Sequence, residues 1–418
     1  METFSNNHWD SVWYISKYLS EPTATDPGAR GYHLMDEFAR RGLKVTILSS
    51  DAGHHFFGSE GLGEQRYAET MNVNGMRLIR VRTLKYTRQR SIRRVLSWID
   101  FELRLLAMPK ANFPKPDVII ASSLSLLTII SGLLLRMRYR CKLVFEVRDI
   151  WPLTLVEEGG FSKWNPLIMV LACIERLGYR YSDAVVGTMP NLVEHVGSVV
   201  SVAPPVRCIP IGYREISNDK AETKANPHRS SFSVPSGKFV VGYAGSMGVS
   251  NALDTLLLCA EGLVEHDKIH IALLGEGDLR EYYKSRFGHL SNVSFLEPVS
   301  RREVSAFLDR CDLLYFATQA STVWRFGQSL NKIIDYMLAG KPILGSFTGH
   351  LTMINEADCG TVVPAGDVSA LRGELLRFEG LGSAACARLG YRARQWVIAN
   401  RNYQVLGSEY LSLLKELQ

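Results

Sequence analysis

The stretch from Thr322 to Pro342, Thr-Val-Trp-Arg-Phe-Gly-Gln-Ser-Leu-Asn-Lys-Ile-Ile-Asp-Tyr-Met-Leu-Ala-Gly-Lys-Pro, decides how the rest of the chain is read. Gly327 ends a loop, Ser329 is placed to cap free amides at a helix start, and Leu330, Ile333, Ile334, Met337 and Leu338 give that helix one apolar side. Gly340 and Pro342 then stop it. Lys332 and Asp335 share a polar face near the helix N-terminus, where unpaired amides and the helix dipole attract anions. Lys332 is thus a candidate phosphate ligand, and Asp335 a candidate acceptor of hydrogen bonds from sugar hydroxyls. The alternative is an amphipathic helix whose lysine and aspartate simply face water.

Around it the chain alternates short apolar runs with helical patterns. Ser11 to Tyr18 reads as a first strand, Ser20 to Gly31 as the loop after it, Tyr32 to Arg41 as a helix and Lys44 to Ser49 as the next strand. That is the opening of a doubly wound parallel sheet. Val118 to Leu135 is apolar almost throughout and long enough to raise a membrane span. A buried strand, a serine-bearing turn and a helix account for it better. Lys142 to Val147 is a further strand that delivers Glu146, Arg148 and Asp149 at its carboxyl end, where open parallel sheets place their ligands. Asp149 is a candidate for orienting or deprotonating an acceptor hydroxyl, and Arg148 for holding an anion; an internal salt bridge is the competing reading. Strands at Ala184 to Thr188 and Arg207 to Ile211 complete a first domain.

A second sheet begins with Phe-Val-Val-Gly-Tyr-Ala-Gly-Ser-Met-Gly from Phe239 to Gly248, a strand entering a glycine-rich turn whose amides suit a diphosphate, followed by a helix over Leu253 to Leu263. Strands at His270 to Leu274, Asn292 to Leu296, Asp312 to Ala317, Pro342 to Gly345 and Gly360 to Pro364 follow, with closing helices over Ala384 to Ile398 and Asn402 to Leu417.

The segment Phe-Gly-x-Ser-x-Asn-Lys-x-x-Asp-Tyr-Met-x-Ala-Gly-Lys-Pro, ending at Pro342, resembles the donor-binding segment of glycosyltransferase family 4, retaining sugar transferases of the GT-B fold. Phe-Glu-Val-Arg-Asp-Ile-Trp-Pro, from Phe145 to Pro152, is similar to the same family, in its bacterial branch for O-antigen and capsule polysaccharide. The resemblance implies two Rossmann-like doubly wound α/β domains facing across a cleft, over residues 1–212 and 238–400, joined by a linker at 213–237 and closed by a helix at 401–418 that returns to the first. It implies donor contacts at Gly245, Ser246, Gly248, Gly275, Gly277, Val299, Gly327, Ser329, Asn331 and Asp335, and a leaving-group role for Lys332. On the first domain it implies substrate contacts at Gly28, Glu146 and Arg148, with Asp149 catalytic.

The chain also departs from the family pattern. Of the usual two glutamates separated by seven residues, the second corresponds to Asp335 and the first has no counterpart among Val323 to Gly327. The arginine and lysine that many members carry after the first strand of the second domain are replaced here by Ser246 and Asn251. The glycine pair of the first loop is interrupted, because Ala29 and Arg30 separate Gly28 from Gly31; Arg30 is either a phosphate ligand or, as the plainer reading, a surface arginine.

Composition sets the outer bounds. With 418 residues, of which 46% are hydrophobic, the chain can bury two cores. A net charge of +6 suits anionic small molecules or an acidic membrane face, and no nucleic-acid motif is present. The seven cysteines form no paired metal-ligand spacing and read as reduced thiols. The N-terminal residues show no signal peptide pattern, so the expected location is the cytoplasm. Arg77 to Arg94 carries no carboxylate and leads into apolar residues at helical intervals from Val95 to Leu106. That pattern suits peripheral contact with an anionic membrane, or else a packing helix beside a solvated charge run. Arg136, Arg138, Arg140 and Lys142 extend the basic surface. His54 and His55, and the glycines from Gly58 to Gly63, are read as loop residues on the acceptor side or merely solvated.

The expected activity is retaining transfer of a sugar from a nucleoside diphosphate to a polyprenyl-diphosphate-linked saccharide, with no cofactor and no metal. A nucleotide-sugar 2-epimerase on the same fold and a non-catalytic nucleotide-sugar-binding partner are the alternatives.

Overall fold

The structure, a computed structural model, describes residues 9–23, 28–52, 62, 65–86, 92–123, 125–214 and 234–418. It divides into two compact units, Met1–Ile211 with Tyr403–Gln418, and Gly212–Asn402.

The first unit contains β1 (Ser11–Ser16), α1 (Arg30–Arg40), β2 (Lys44–Ser50), β3 (Tyr67–Met71), β4 (Arg77–Val81), α2 (Ile92–Ala107), β5 (Val118–Ser122), α3 (Thr128–Tyr139) and β6 (Lys142–Val147). It continues with α4 (Leu153–Glu157), α5 (Pro166–Tyr181), β7 (Ala184–Gly187), α6 (Leu192–Val199) and β8 (Val206–Cys208). Its strands lie in the order β3-β4-β2-β1-β5-β6-β7-β8, parallel throughout except that β3 runs antiparallel to β4. The central strands are apolar almost throughout because helices cover both faces. On one face Val12, Tyr14, Ile47, Ile120 and Val144 meet α1 and the last helix of the chain. On the other, α3 and α5 approach the sheet closely because Gly132 lies against Ala121 and Leu143, and Gly178 against Phe145.

The second unit contains β9 (Phe239–Ala244), α7 (Asp254–Glu261), β10 (Ile269–Leu274), α8 (Arg280–Phe287), β11 (Val293–Leu296), α9 (Arg301–Asp309), β12 (Leu313–Ala317) and α10 (Asn331–Leu338). Then come β13 (Ile343–Ser346), α11 (Met353–Glu356), β14 (Gly360–Val363), α12 (Val368–Leu381) and α13 (Ser383–Arg401). The order β11-β10-β9-β12-β13-β14, all parallel, is that of a doubly wound dinucleotide-type sheet, with its switch point between β9 and β12. In the first unit the corresponding switch falls between β1 and β5. The chain ends in α14 (Tyr403–Glu416), which joins the first unit: Tyr403, Leu406, Tyr410 and Leu413 are buried in the cluster that holds Leu34, Met35 and Phe38 of α1.

Several expectations change here. Arg77 to Arg94 is not one free basic run: Arg77 to Val81 is a strand, Arg77 pairs with Glu69 at 3.0 Å, and Arg80 pairs with Glu21. Carboxylates distant in sequence neutralise part of the charge. The apolar run from Val118 divides into β5 and α3, and among the described residues no helix is long and apolar enough to cross a membrane. Helix α10 starts at Asn331 with Leu330 at its N-cap position, so Ser329 lies one residue too early to be the cap. The linker expected over 213–237 falls mostly outside the described residues.

Candidate functional site

In the second unit the candidate residues gather at the carboxyl ends of β9 and β10, beside the switch point. Gly245, Gly275 and Gly277 all have positive φ, at 155°, 142° and 155°. A Cβ on Gly275 would lie 2.0 Å from the Gly245 carbonyl oxygen, and one on Gly277 would strike the Met247 backbone. The two loops therefore stack backbone on backbone, cross-linked by Met247 N–H to Glu276 O at 2.7 Å and Leu279 N–H to Met247 O at 3.0 Å. Only glycine allows both the conformation and the approach. Ser246 is exposed at the tip, with Gly248 just beyond it.

Helix α10 is fastened to this stack through two tyrosines. The Tyr336 hydroxyl accepts from Ala244 N–H at 2.9 Å and donates to Ala244 O at 3.2 Å. Lys332 reaches across to Tyr243: its Nζ donates to the Tyr243 hydroxyl at 3.1 Å and to Asn251 Oδ1 at 2.5 Å, and stands 4.7 Å from the Tyr243 ring centroid. Tyr243 in turn donates to Ser246 O at 2.5 Å. Among the described residues no carboxylate pairs with Lys332, and burial lowers its ammonium from 10.5 to about 8. The solvated alternative for this lysine does not hold. It is a recessed cation held by neutral groups and a ring face, at the edge of exposed backbone amides, which is an arrangement suited to an anion.

Asp335 is half-buried one turn further along α10, and Asn331 is exposed at its first residue. Gly327 has φ +101° and closes the short 3-10 turn Thr322–Phe326. A glutamate rarely adopts that conformation, so the missing first glutamate of the family pair has a backbone counterpart. Arg280 links the loops after β10 and β11, with Nη2 2.7 Å from Glu297 Oε1; Val299 follows in the second loop and packs on the α10 side of the core.

In the first unit, Glu146 is fully buried. It takes Arg30 Nη1 at 2.6 Å, the Tyr14 hydroxyl at 2.8 Å and Ser122 Oγ at 3.0 Å, while Arg30 also donates to Pro210 O and Ile209 O. Burial works to raise the Glu146 carboxyl, but Arg30 and then Arg148 outweigh it, so it lies below its ordinary value. The surface-arginine reading of Arg30 is thus corrected: the side chain is inside, neutralising a buried carboxylate. Glu146 has its hydrogen bonds taken up internally, which makes it a support for the loop after β6 and for the first turn of α1. Gly28, with φ +83° and its α-carbon face against Pro22, shapes the approach to that turn.

Arg148 and Asp149 follow directly. The Arg148 N–H donates to Ser123 Oγ at 3.0 Å and its carbonyl accepts from Thr188 Oγ1 at 3.2 Å, so strands on both sides pin the loop. Asp149 is exposed, yet loss of surrounding water raises its carboxyl above its ordinary value, with Arg148 pulling the other way. An accessible carboxylate of raised basicity suits proton transfer. A separate cavity of about 630 Å³ opens beside the ends of β2 and β4, lined by Asp51, Arg82, Thr83, Lys85 and Arg104. It lies strands away from Asp149 in the sheet order. His54, His55 and all of Gly58 to Gly63 except Leu62 lie outside the described residues.

Residues 27–212 match the family model described as glycosyl transferase 4-like domain, and residues 238–378 that described as glycosyl transferases group 1. The chain belongs to the GT-B glycosyltransferases. Solved structures agree in fold across the whole of this glycosyltransferase. Sucrose-phosphate synthase from Thermosynechococcus elongatus superposes with TM-score 0.70 at 17% identity, covering 98% of this chain and 99% of its own. A trehalose-6-phosphate protein of E. coli bound with UDP-2-fluoro glucose gives 0.69 at 12%, covering 97% and 99%. Anabaena HepE in complex with UDP and glucose gives 0.60 at 14%, covering 98% and 100%. No curated protein matches the chain by sequence comparison.

Sequence reasoning passes over Tyr243, Tyr336 and the internal role of Arg30. The first two carry a signal, an aromatic residue at a strand end and another beside the charged helix face. The third carries none, because its partner is distant in sequence.

Proposed function

We propose that this glycosyltransferase moves a sugar, with retention at the anomeric carbon and without a metal, from a nucleoside diphosphate to a polyprenyl-diphosphate-linked saccharide in surface polysaccharide synthesis at the inner membrane. The observation that carries the reading is Lys332, a cation with no carboxylate partner among the described residues, set against the glycine stack at a switch point. As the bond to the donor sugar breaks, negative charge grows on the leaving diphosphate, and a cation aimed there stabilises the transition state more than the bound substrate. The amides of Gly245 to Gly248 share that task, and Asp335 accepts from ribose hydroxyls. Asp149 orients or deprotonates the attacking hydroxyl, with Arg148 beside it for the acceptor's anionic group.

A thermal-shift screen of nucleotide sugars tests the donor half, with uridine diphosphate sugars first because similar structures hold them. A true donor at a hundredfold its dissociation constant adds roughly 2.7 kcal/mol to stability. Product analysis then separates a new glycosidic bond from the equilibration of two nucleotide sugars that an epimerase would give. Gly327 favours a second reading, a nucleotide-sugar-binding partner without turnover, since its backbone is not built for the first glutamate. Binding with no product across a broad acceptor panel would select that reading.

A further inference from the structure

Helices α2, α3 and α5 lie side by side on one face of the first sheet. Glu102 of α2 accepts from Thr128 Oγ1 and Ser131 Oγ of α3, and Gly178 of α5 brings that helix against Phe145 and Ile129. Their inward sides are ordinary core. Their outward sides are not ordinary surface. On α2, Ile92, Leu96, Ile99 and Leu103 recur at helical spacing and are exposed, Ile92 to 80%. On α3, Ile130, Leu134 and Met137 do the same, and on α5 Leu167, Val170 and Leu177. Three neighbouring helices thus each show water an apolar stripe, whereas a soluble monomer rarely exposes a contiguous apolar patch beyond a few hundred Å².

The charges among these stripes are mostly positive. From Thr128 to Arg140 the only charged residues are Arg138, Arg140 and Arg136, the last paired with Asp183 at 3.2 Å. On α5, Arg176 and Arg180 point outward, while Glu175 is turned inside to His195 and Tyr179. On α2 the one carboxylate near the surface, Asp100, is paired with Arg104 at 2.6 Å. Ahead of α5, Trp164 is 73% exposed with Lys163 Nζ 5.6 Å from its ring centroid, and Arg180 lies 5.6 Å from the Tyr181 ring. Aromatic and basic pairs of this kind anchor proteins at the boundary between headgroups and acyl chains.

We propose that the outward face of α2, α3 and α5 inserts into the surface of an anionic lipid bilayer. The inference rests on the proposed lipid-linked acceptor for its purpose, but its physical basis is separate. It shares the helix over Val95 to Leu106 with the contact expected from sequence, and differs in placing the weight on an apolar face of three helices where that reading began from a basic run at Arg77 to Arg94. Arg77 and Arg80 of β4 are paired with Glu69 and Glu21, and the face found here is apolar with a basic fringe. Its binding should survive salt that screens charge. A second copy of the chain is the poorer occupant, because a two-fold contact through this face would bring the same cations against one another.

The test is flotation of the full-length protein with vesicles of phosphatidylcholine alone, or with about a third phosphatidylglycerol, at about 0.1 M and about 1 M salt. The comparison is the triple variant Leu103→Asp, Leu134→Asp, Val170→Asp, whose sites are all exposed. The wild type should float with the anionic vesicles and keep most of its binding at high salt, and brominated lipids should quench its tryptophan fluorescence. The variant, folded by circular dichroism, should bind at least tenfold more weakly. Failure of the wild type to bind, equal binding by the variant, or release at high salt overturns the proposal. So does a concentration-dependent dimer in sedimentation that the variant abolishes without vesicles. Sugar transfer to a soluble acceptor is measured separately, so loss of the bilayer contact and loss of the proposed activity are told apart.

Discussion

Replacing Lys332 by methionine keeps the bulk of the side chain and removes its charge together with its hydrogen bonds to Tyr243 and Asn251. In the ligand-free protein that charge is costly: burial lowers the ammonium from 10.5 to about 8, a drop corresponding to roughly 3 kcal/mol against the charged form. Against this stand the hydrogen bonds to Tyr243 and Asn251, each contributing about 1 kcal/mol net. Lys332→Met should therefore leave stability near neutral pH unchanged or raise it by about 1 kcal/mol. The sign with pH follows from linkage. Between pH 8 and 10.5 the unfolded chain binds the proton that the folded lysine has lost, so this group makes wild-type stability rise across that window. The variant should lack that rise. Catalysis should move the other way. Loss of one transition-state cation costs on the order of 3 kcal/mol of barrier, about a hundredfold in the saturated single-turnover rate. The wild-type kcat/KM should fall as pH rises through about 8, the free-enzyme value for Lys332, and the variant should show no such limb. A Lys332→Met protein with a wild-type saturated rate would refute the leaving-group role, whatever its stability.

Asp335→Ala should weaken donor and free nucleoside diphosphate alike by about tenfold or more while the saturated rate changes little, because contacts to ribose do not change during reaction; isothermal titration beside single-turnover kinetics measures the split. Asp149→Asn should leave donor affinity intact and lower saturated turnover by about a hundredfold, the ordinary contribution of a positioned proton acceptor. Glu146→Ala leaves Arg30 buried without its carboxylate and should cost about 3–5 kcal/mol, read as an early melting step of the first unit, with nucleotide binding by the second retained.

The parallel strands other than β4, and their order of appearance, were legible because each is a short apolar run bounded by turn residues, as Phe239 to Ala244 and Leu313 to Ala317 show. Strand β3 was not. Tyr67 to Met71 is an exposed edge strand with no buried face, so no alternation marks it, and its arginine-bearing neighbour β4 reads as loose charge until Glu69 and Glu21 are placed beside it. At the candidate site, helical spacing put Lys332 and Asp335 on one face but did not say that the lysine turns inward. That depends on Tyr243, 89 residues earlier, whose hydroxyl and ring form the recess. The glycines of the stacked loops were visible as glycines, while the reason for them, two backbones in contact, exists only once β9 and β10 lie side by side.

The last helix has a consequence for how the protein is made. Leu34, Met35 and Phe38 of α1 share a core with Val12, Tyr14 and Ile47 of the sheet and with Tyr403, Leu406 and Tyr410, so the part of α1 that faces away from the sheet stays uncovered until α14 has been translated. A nascent chain that has left the ribosome as far as Ile211 holds every strand of the first sheet and still lacks one wall of its core. The second unit, Gly212–Asn402, has all its own strands and helices before that wall arrives. The unit that emerges first is therefore the one completed last.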